Sequence, residues 1–128
     1  MEILNSRILL HPVDLATSQA FYRDILGLAV YREFGPSDAP GMVFFSGNGL
    51  LEVSGHAEAA QHQQISLWFQ VRDVAAEYDR LTSRGATALR GPRTEPWGLM
   101  EAWIADPDGI EIVLVQIPED HPLRRDQR

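Results

Sequence analysis

The chain repeats one pattern at half its length, and this repeat constrains the fold more than any other feature of the sequence. Asp14 opens a predicted helix that ends at Gly27, and Asp73 opens a second one that ends at Gly85. The two aspartates lie 59 residues apart and the two glycines 58. Asp is a favoured N-cap, and Gly suits the left-handed residue that follows a helix. The repeat therefore predicts two copies of one supersecondary unit.

Strand-like segments flank both predicted helices in the same order, with one strand before each helix and three after it. In the first half these segments are 8–10, 28–34, 42–46 and 50–54; in the second half they are 65–69, 86–89, 99–105 and 110–117. Each half therefore reads β-α-β-β-β. The sequence predicts one α+β domain that consists of module one (about 6–55), a linker (55–64), module two (about 65–117) and a charged tail (118–128).

The predicted strands have one apolar face and one mixed face. Along 65–71 the residues Ile65, Leu67, Phe69 and Val71 alternate with Ser66, Trp68 and Gln70. Alternate residues share one face of a strand, so we expect the apolar face to cover the helix. Trp68 and Trp103 fall on the other face, which favours a ligand cavity there. The alternative is a second face that is merely solvated, as in many antiparallel sheets.

Composition excludes several classes of protein. The chain has no cysteine, which rules out a disulfide framework, a thiol nucleophile and a Cys-based metal site. The start carries no signal-peptide pattern, and no apolar run approaches the roughly 20 residues of a membrane span. A net charge of −7 argues against nucleic acid and favours cationic partners. We expect a cytoplasmic protein without nucleic-acid or membrane partners.

Two stretches carry a family resemblance. They are Val13-Asp14-Leu15 leading to Ser18-Gln19-Ala20-Phe21-Tyr22-Arg23-Asp24-Ile25-Leu26-Gly27, and Trp97-Gly98 leading to Asp106-Pro107-Asp108-Gly109. With this order of elements, the chain resembles the vicinal-oxygen-chelate superfamily, which includes glyoxalase I, extradiol dioxygenases and bleomycin-resistance proteins. The resemblance implies two βαβββ modules that form a curved mixed sheet around a cavity.

The resemblance also identifies the positions at which metal-using relatives hold a divalent ion with four side chains. In this sequence those positions are Arg7, Glu52, Ser66 and Val113. Arg7 is a permanent cation, Val113 has no lone pair, and one carboxylate does not hold such an ion against water. We therefore expect no metal and no other cofactor, and we predict that Arg7 and Glu52 form an ion pair instead. A substitute ligand set of His11, Glu52 and Glu111 is an alternative.

The nearest functional resemblance is to the metal-free bleomycin-resistance proteins. It implies that the chain sequesters a bulky, often cationic, aromatic molecule such as an antibiotic in clefts of a module-exchanged homodimer. Phe44 is placed in the cavity as the counterpart of Trp103, and the carboxylates Glu101 and Glu111 would attract a cation. The predicted ligand-binding residues are Arg7, His11, Met42, Phe44, Glu52, Ser66, Trp68, Gln70, Trp97, Glu101, Trp103, Glu111 and Val113.

Two other functions remain open at this point. The chain could be a lyase, isomerase or dioxygenase that uses either the substitute ligands or an acid/base residue, His11 or Glu52. It could also be a relic of the fold with a regulatory or storage role. The sequence identifies no catalytic residue, because nothing near His11 marks a nucleophile or an oxyanion site.

Overall fold

The computed structural model describes residues 1–60 and 65–122. The chain divides into two compact units, Met1–Gln61 and His62–Arg128, and the boundary lies inside the predicted linker. Residues 61–64 of that linker and 123–128 of the predicted tail lie outside the described residues. Each unit has the predicted β-α-β-β-β order, which confirms the α+β fold.

The first unit contains one mixed four-stranded sheet. Its elements are β1 (Arg7–Leu10), α1 (Leu15–Ala20), a π-helical segment (Phe21–Ile25), β2 (Val30–Phe34), β3 (Gly41–Ser46) and β4 (Gly49–Val53). The strands lie in the order β1-β4-β3-β2. The β1–β4 pair is parallel and the other two pairs are antiparallel, because only β1 is separated from its neighbour by a helical crossover.

The first helix begins as predicted but does not stay an ordinary α-helix. The Asp14 carboxylate caps it by accepting from the Thr17 N–H at 3.0 Å. After Ala20 the helix widens, and the Leu26 N–H donates to the Phe21 carbonyl five residues earlier, at 2.9 Å. A π-helical turn inserts one extra residue, which the apolar spacing does not reveal. The turn contains Phe21 and Tyr22, whose buried rings meet edge to face.

The second unit has the same topology, but the strand that follows its helix is longer than its counterpart β2. Its elements are β5 (Ser66–Gln70), α2 (Val74–Ser83), β6 (Thr87–Thr94), β7 (Met100–Ala105) and β8 (Glu111–Gln116), in the sheet order β5-β8-β7-β6. Asp73 caps α2 by accepting from the Ala76 N–H at 3.0 Å. Strand β6 was predicted to end at Leu89 but continues past Pro92. An edge strand tolerates a proline because one side of it needs no N–H donor.

Each unit buries its helix-facing side chains. Leu51 and Val53 in the first unit and Leu67 in the second are buried as predicted. Ile8 and Ile65 were also predicted to cover the helices but remain 48% and 52% exposed. Ile8 lies on an edge strand and Ile65 precedes β5. The apolar alternation of the sequence extends to both residues, but no helix covers their side chains.

None of the helices within 1–60 and 65–122 is long and apolar enough to cross a bilayer.

Candidate functional site

An ion pair occupies the mixed face of the first unit. Because β1 and β4 are parallel, with Leu9 opposite Glu52, the Arg7 side chain reaches that carboxylate diagonally. The Arg7 Nη1 donates to Glu52 Oε1 at 3.0 Å, and the Ser54 hydroxyl donates to Oε2 at 2.7 Å. The Ser54 hydroxyl, together with Arg7, holds the pKa of Glu52 below its usual value although burial opposes this. The predicted Arg7–Glu52 pair is confirmed.

The residues at the positions of the family's metal ligands do not fit a divalent ion. Both oxygens of Glu52 accept hydrogen bonds, and the adjacent guanidinium would repel a cation. Ser66 donates its hydroxyl proton to Glu111 at 3.3 Å, and Val113 has no donor atom. Within the described part of the chain, no three His, Asp or Glu side chains come together as metal ligands. The substitute set of His11, Glu52 and Glu111 draws its members from both units, and within its own unit neither His11 with Glu52 nor Glu111 belongs to a group of three such side chains among the described residues.

The ring of His11 has a fixed orientation at the end of β1. Its Nδ1 lies 2.8 Å from the Ser54 carbonyl oxygen. A carbonyl can only accept, so Nδ1 carries the proton and Nε2 carries the lone pair of the neutral ring. Gly55 allows this contact, because a Cβ at that position would lie 3.2 Å from Nδ1.

The second unit has a different centre, in which one carboxylate holds two indole rings. Glu101 on β7 is only 6% exposed. Its Oε2 accepts from the Trp97 indole N–H at 3.0 Å, and its Oε1 accepts from the Trp103 indole N–H at 3.2 Å. Trp97 lies in the turn between β6 and β7 and is 57% exposed. Glu101 was predicted to attract a cationic ligand, but both of its oxygens are already engaged by these two rings.

An arginine from β6 covers one face of Trp103. Arg90 is the cross-strand neighbour of Trp103, and its guanidinium carbon lies 3.8 Å from the ring centroid. Its Nη2 donates to the Glu95 carboxylate and, at 3.3 Å, to the Glu101 carbonyl. Burial raises the pKa of Glu95, but hydrogen bonds from Arg90 and Arg93 outweigh this and lower it. We name Arg90, Glu95, Trp97, Glu101 and Trp103 the indole cluster.

Sequence reasoning missed Arg90 and Glu95 in this cluster. The predicted strand ended at Leu89, one residue too early to place Arg90 opposite Trp103. The repeat offered a signal. Arg32 pairs with Val43 in the first unit, and Arg90 pairs with Trp103 in the second. Arg90 follows Arg32 by 58 positions and Trp103 follows Val43 by 60, which is close to the period of the repeat.

The remaining predicted residues of the second unit lie on the same face as Trp103. Trp68, Val113 and Trp103 form one row across β5, β8 and β7. Gln70 follows Trp68 on that face of β5, and Ser66 precedes it beside Glu111. Trp68 is 49% exposed, so this face of the second unit presents a large aromatic ring.

Two predicted site residues are on the wrong face. Met42 pairs with Val53 and Phe44 with Leu51, so both lie on the helix side of the first sheet. Phe44 is fully buried, with its ring centroid 6.3 Å from that of Tyr22. The counterpart of Trp103 is Val43, which pairs with Glu52. The run Met42–Phe45 is apolar throughout, so it has no alternation that could fix which residues face the helix.

The fold and the mixed faces together define a class of protein: an α+β chain of two βαβββ units that differ in the side chains on their open sheet faces. The family model of the Glyoxalase/Bleomycin resistance protein/Dioxygenase superfamily matches residues 6–114. The chain belongs to this superfamily. No curated protein matches it at a significant level of sequence similarity.

Several solved structures share the fold. A glyoxalase-related enzyme from Fulvimarina pelagi is 24% identical with a TM-score of 0.73, and the match covers 92% of this chain and 90% of that one. A superfamily member from Sphaerobacter thermophilus DSM 20745 is 20% identical with a TM-score of 0.70, covering 91% and 97%. A lactoylglutathione lyase from Agrobacterium tumefaciens is 20% identical with a TM-score of 0.65, covering 86% and 90%. At these identities the likeness is one of fold.

Proposed function

We propose that this chain is a metal-free binding protein that sequesters a bulky aromatic small molecule, such as an antibiotic, in the cytoplasm. The protein would bind the molecule stoichiometrically, without converting it. Binding would protect the cell by lowering the concentration of the free molecule. The ligand would lie against the open sheet face of the second unit.

The placement of the tryptophans carries this proposal. The chain has three tryptophans, and none of them lies on the helix side of its sheet. Trp68 and Trp103 share the open face, and Trp97 sits at its end with its indole N–H fixed on Glu101. Exposed tryptophans are costly in water and are enriched where aromatic partners bind. Rings held by a buried carboxylate are also pre-organised, which lowers the entropy cost of binding.

The ion pair of the first unit supports the metal-free part of the proposal. Arg7 and Ser54 each donate a hydrogen bond to Glu52, so this carboxylate needs no metal ion to compensate its charge. Removing the Arg7 contact in order to admit a metal would leave a guanidinium without its partner. The binding energy of the ligand must then come from stacking and hydrogen bonds.

The experiment combines native mass spectrometry with recovery of the ligand. The protein is incubated with 2-(hydroxymethyl)anthraquinone, a neutral planar probe, and the number of probe molecules per chain is counted. Capture predicts one probe per chain and recovery of the probe chemically unchanged. A protein that binds no planar aromatic probe, or that converts the probe to a product, contradicts the proposal.

We further propose a homodimer with two equivalent sites, formed by exchange of modules between chains. Each unit has large apolar side chains that remain about half exposed, among them Leu9, Tyr31 and Phe45 in the first. Such side chains are typical of surfaces that a second chain covers. Sedimentation should give twice the chain mass of 14.4 kDa, and a monomer at micromolar concentration would contradict this.

A second candidate function rests on His11. Its fixed Nδ1–H leaves Nε2 as an oriented base close to Glu52, which is the geometry that a lyase or isomerase acting without metal would need. One solved structure of the same fold is a lactoylglutathione lyase. Turnover of a bound molecule that disappears in His11→Ala, but persists in the protein treated with a chelator, would favour this function over capture.

A further inference from the structure

The indole cluster has more hydrogen-bond donors than acceptors. A guanidinium has five N–H bonds. The Arg90 Nη2 uses its bonds on Glu95 and on the Glu101 carbonyl. The Nε and Nη1 atoms are shielded from solvent and find no acceptor among residues 1–60 and 65–122. Since buried polar atoms are nearly always paired, three unmatched N–H bonds beside Trp103 need an explanation.

The negative groups nearby do not supply the missing acceptors in this structure. Oε1 of Glu95 accepts from Arg90 Nη2 and from Arg93 Nε, and both oxygens of Glu101 accept from indole N–H groups. Neither carboxylate accepts from Arg90 Nε or Nη1. One face of Trp103 is already covered by a cation, because the Arg90 guanidinium carbon lies 3.8 Å from the ring centroid. The cluster therefore has a cation already and lacks an acceptor.

We propose that the second unit selects planar aromatic ligands that carry an anionic oxygen group, such as a carboxylate, sulfonate or phenolate, and that Arg90 binds this group beside Trp103. This inference rests on the proposed function and names the charge of its ligand. The Arg90 side chain is 17% exposed, and side-chain rotamer changes are common on binding, so we expect the guanidinium to turn its unmatched N–H bonds towards an incoming oxygen. Charge-assisted bonds from a planar guanidinium are among the strongest that a protein makes to such groups.

The net charge of the chain alone would predict a cationic ligand rather than an anionic one. At −7 the protein attracts cations over long range, and the acidic residues alone would favour a cationic ligand. At about 0.15 M salt the long-range field is screened within roughly 8 Å, whereas a contact with Arg90 is not. A comparison at that salt concentration therefore separates the local site from the overall charge.

The test compares three anthraquinones that share one ring system and differ in the substituent at position 2, which is anionic, neutral or cationic. The probes are anthraquinone-2-sulfonate, 2-(hydroxymethyl)anthraquinone and 2-(aminomethyl)anthraquinone, titrated into the full-length protein at pH 7 and followed by tryptophan fluorescence. We expect the sulfonate to bind about tenfold or more tightly than the aminomethyl compound, with the neutral compound between them. Equal affinities, or a preference for the aminomethyl compound, would overturn the inference.

Matched arginine variants locate the effect. Arg90→Met should abolish the preference for the sulfonate, measured as the ratio of the sulfonate and neutral-probe affinities in the same variant. Arg93→Met should keep the preference, because Arg93 contacts the same Glu95 from a side chain that is 60% exposed. A preference that survives Arg90→Met also overturns the inference. If Arg90→Met does not fold, the three wild-type affinities decide alone. If none of the three probes binds, the proposed function fails as well; if all bind without charge preference, only this inference fails.

Discussion

The two units share one topology and carry opposite chemistry on their open faces. Arg7 and Glu52 in the first unit correspond in the sheets to Ser66 and Val113 in the second, and Val43 corresponds to Trp103. The first face is centred on a polar network whose charges satisfy each other. The second presents aromatic rings and unmatched donors. The comparison shows that the repeat specifies the backbone, while side chains that differ between the two copies set the chemistry of each open face.

The largest expected effect is a loss of folding stability, and it tests whether Phe44 belongs to the core of the first unit or to its open face. Phe44→Ala removes a fully buried ring and should lower the free energy of unfolding by about 3–5 kcal/mol. Phe45→Ala, at the next and half-exposed position, is the matched comparison and should cost less than Phe44→Ala. Urea denaturation measures both. A larger loss of stability in Phe45→Ala than in Phe44→Ala would contradict the facing of β3.

The second expected effect concerns the ring that distinguishes the second unit. Trp103→Ala should weaken binding of the neutral anthraquinone by about 1–3 kcal/mol, because stacking area is lost. Trp103→Phe keeps a ring and should retain most of the affinity. Isothermal titration calorimetry measures both, and an unchanged affinity in the alanine variant would remove Trp103 from the site.

A smaller effect is expected from the carboxylate that holds the two indoles. Glu101→Gln offers one accepting oxygen in place of two, so one indole N–H loses its partner, at a cost of about 1–2 kcal/mol in unfolding free energy. Since Trp97 is the more exposed ring, it should be the one released, and the tryptophan emission should shift to longer wavelength. Glu111→Gln is the control on the same face. Emission that is identical in the Glu101 and Glu111 variants would contradict this role for Glu101.

The smallest effect is a pH dependence in the first unit. The folded state holds the pKa of Glu52 below its usual value of 4.5, so the unfolded state binds the proton more readily. This contribution to stability is complete above pH 4.5 and is lost as the pH falls through the lowered pKa of the folded state.

The check is a series of urea midpoints between pH 3 and 6. The stability difference between wild type and Glu52→Gln should be constant at the upper end and shrink towards the lower end. Glu58→Gln changes an exposed carboxylate of the same unit and serves as the control. A Glu52→Gln difference that stays constant down to pH 3 would show that the ion pair does not matter for folding.

The sequence predicts the fold well because the repeat, the two aspartate caps and the strand alternation are local signals that agree with one another. It fails where those signals stop. The apolar run Met42–Phe45 has no period, so the facing of Phe44 was wrong. The extra residue of the π-helical turn at Phe21–Ile25 leaves no mark in composition.

The site was predictable only in part, for a related reason. The Arg7–Glu52 pair was predicted from the family resemblance, which places both residues at positions that converge on one ion in metal-bearing relatives, and the structure confirms it. The contact of Arg90 with Trp103 depends on the cross-strand register of β6, which bulges twice and runs past a proline. Register set by bulges cannot be read from the sequence of one strand, because it depends on the pairing with another.

One fluorescence titration tests the contrast between the two units most directly. The protein is treated with a chelator to remove divalent ions and is then titrated with 2-(hydroxymethyl)anthraquinone while tryptophan emission is recorded. We predict saturable quenching at one probe per chain, unchanged when Mg²⁺, Zn²⁺ or Ni²⁺ is restored. Quenching that appears only after a divalent ion is added would contradict the claim that the aromatic face of the second unit binds its ligand without a metal.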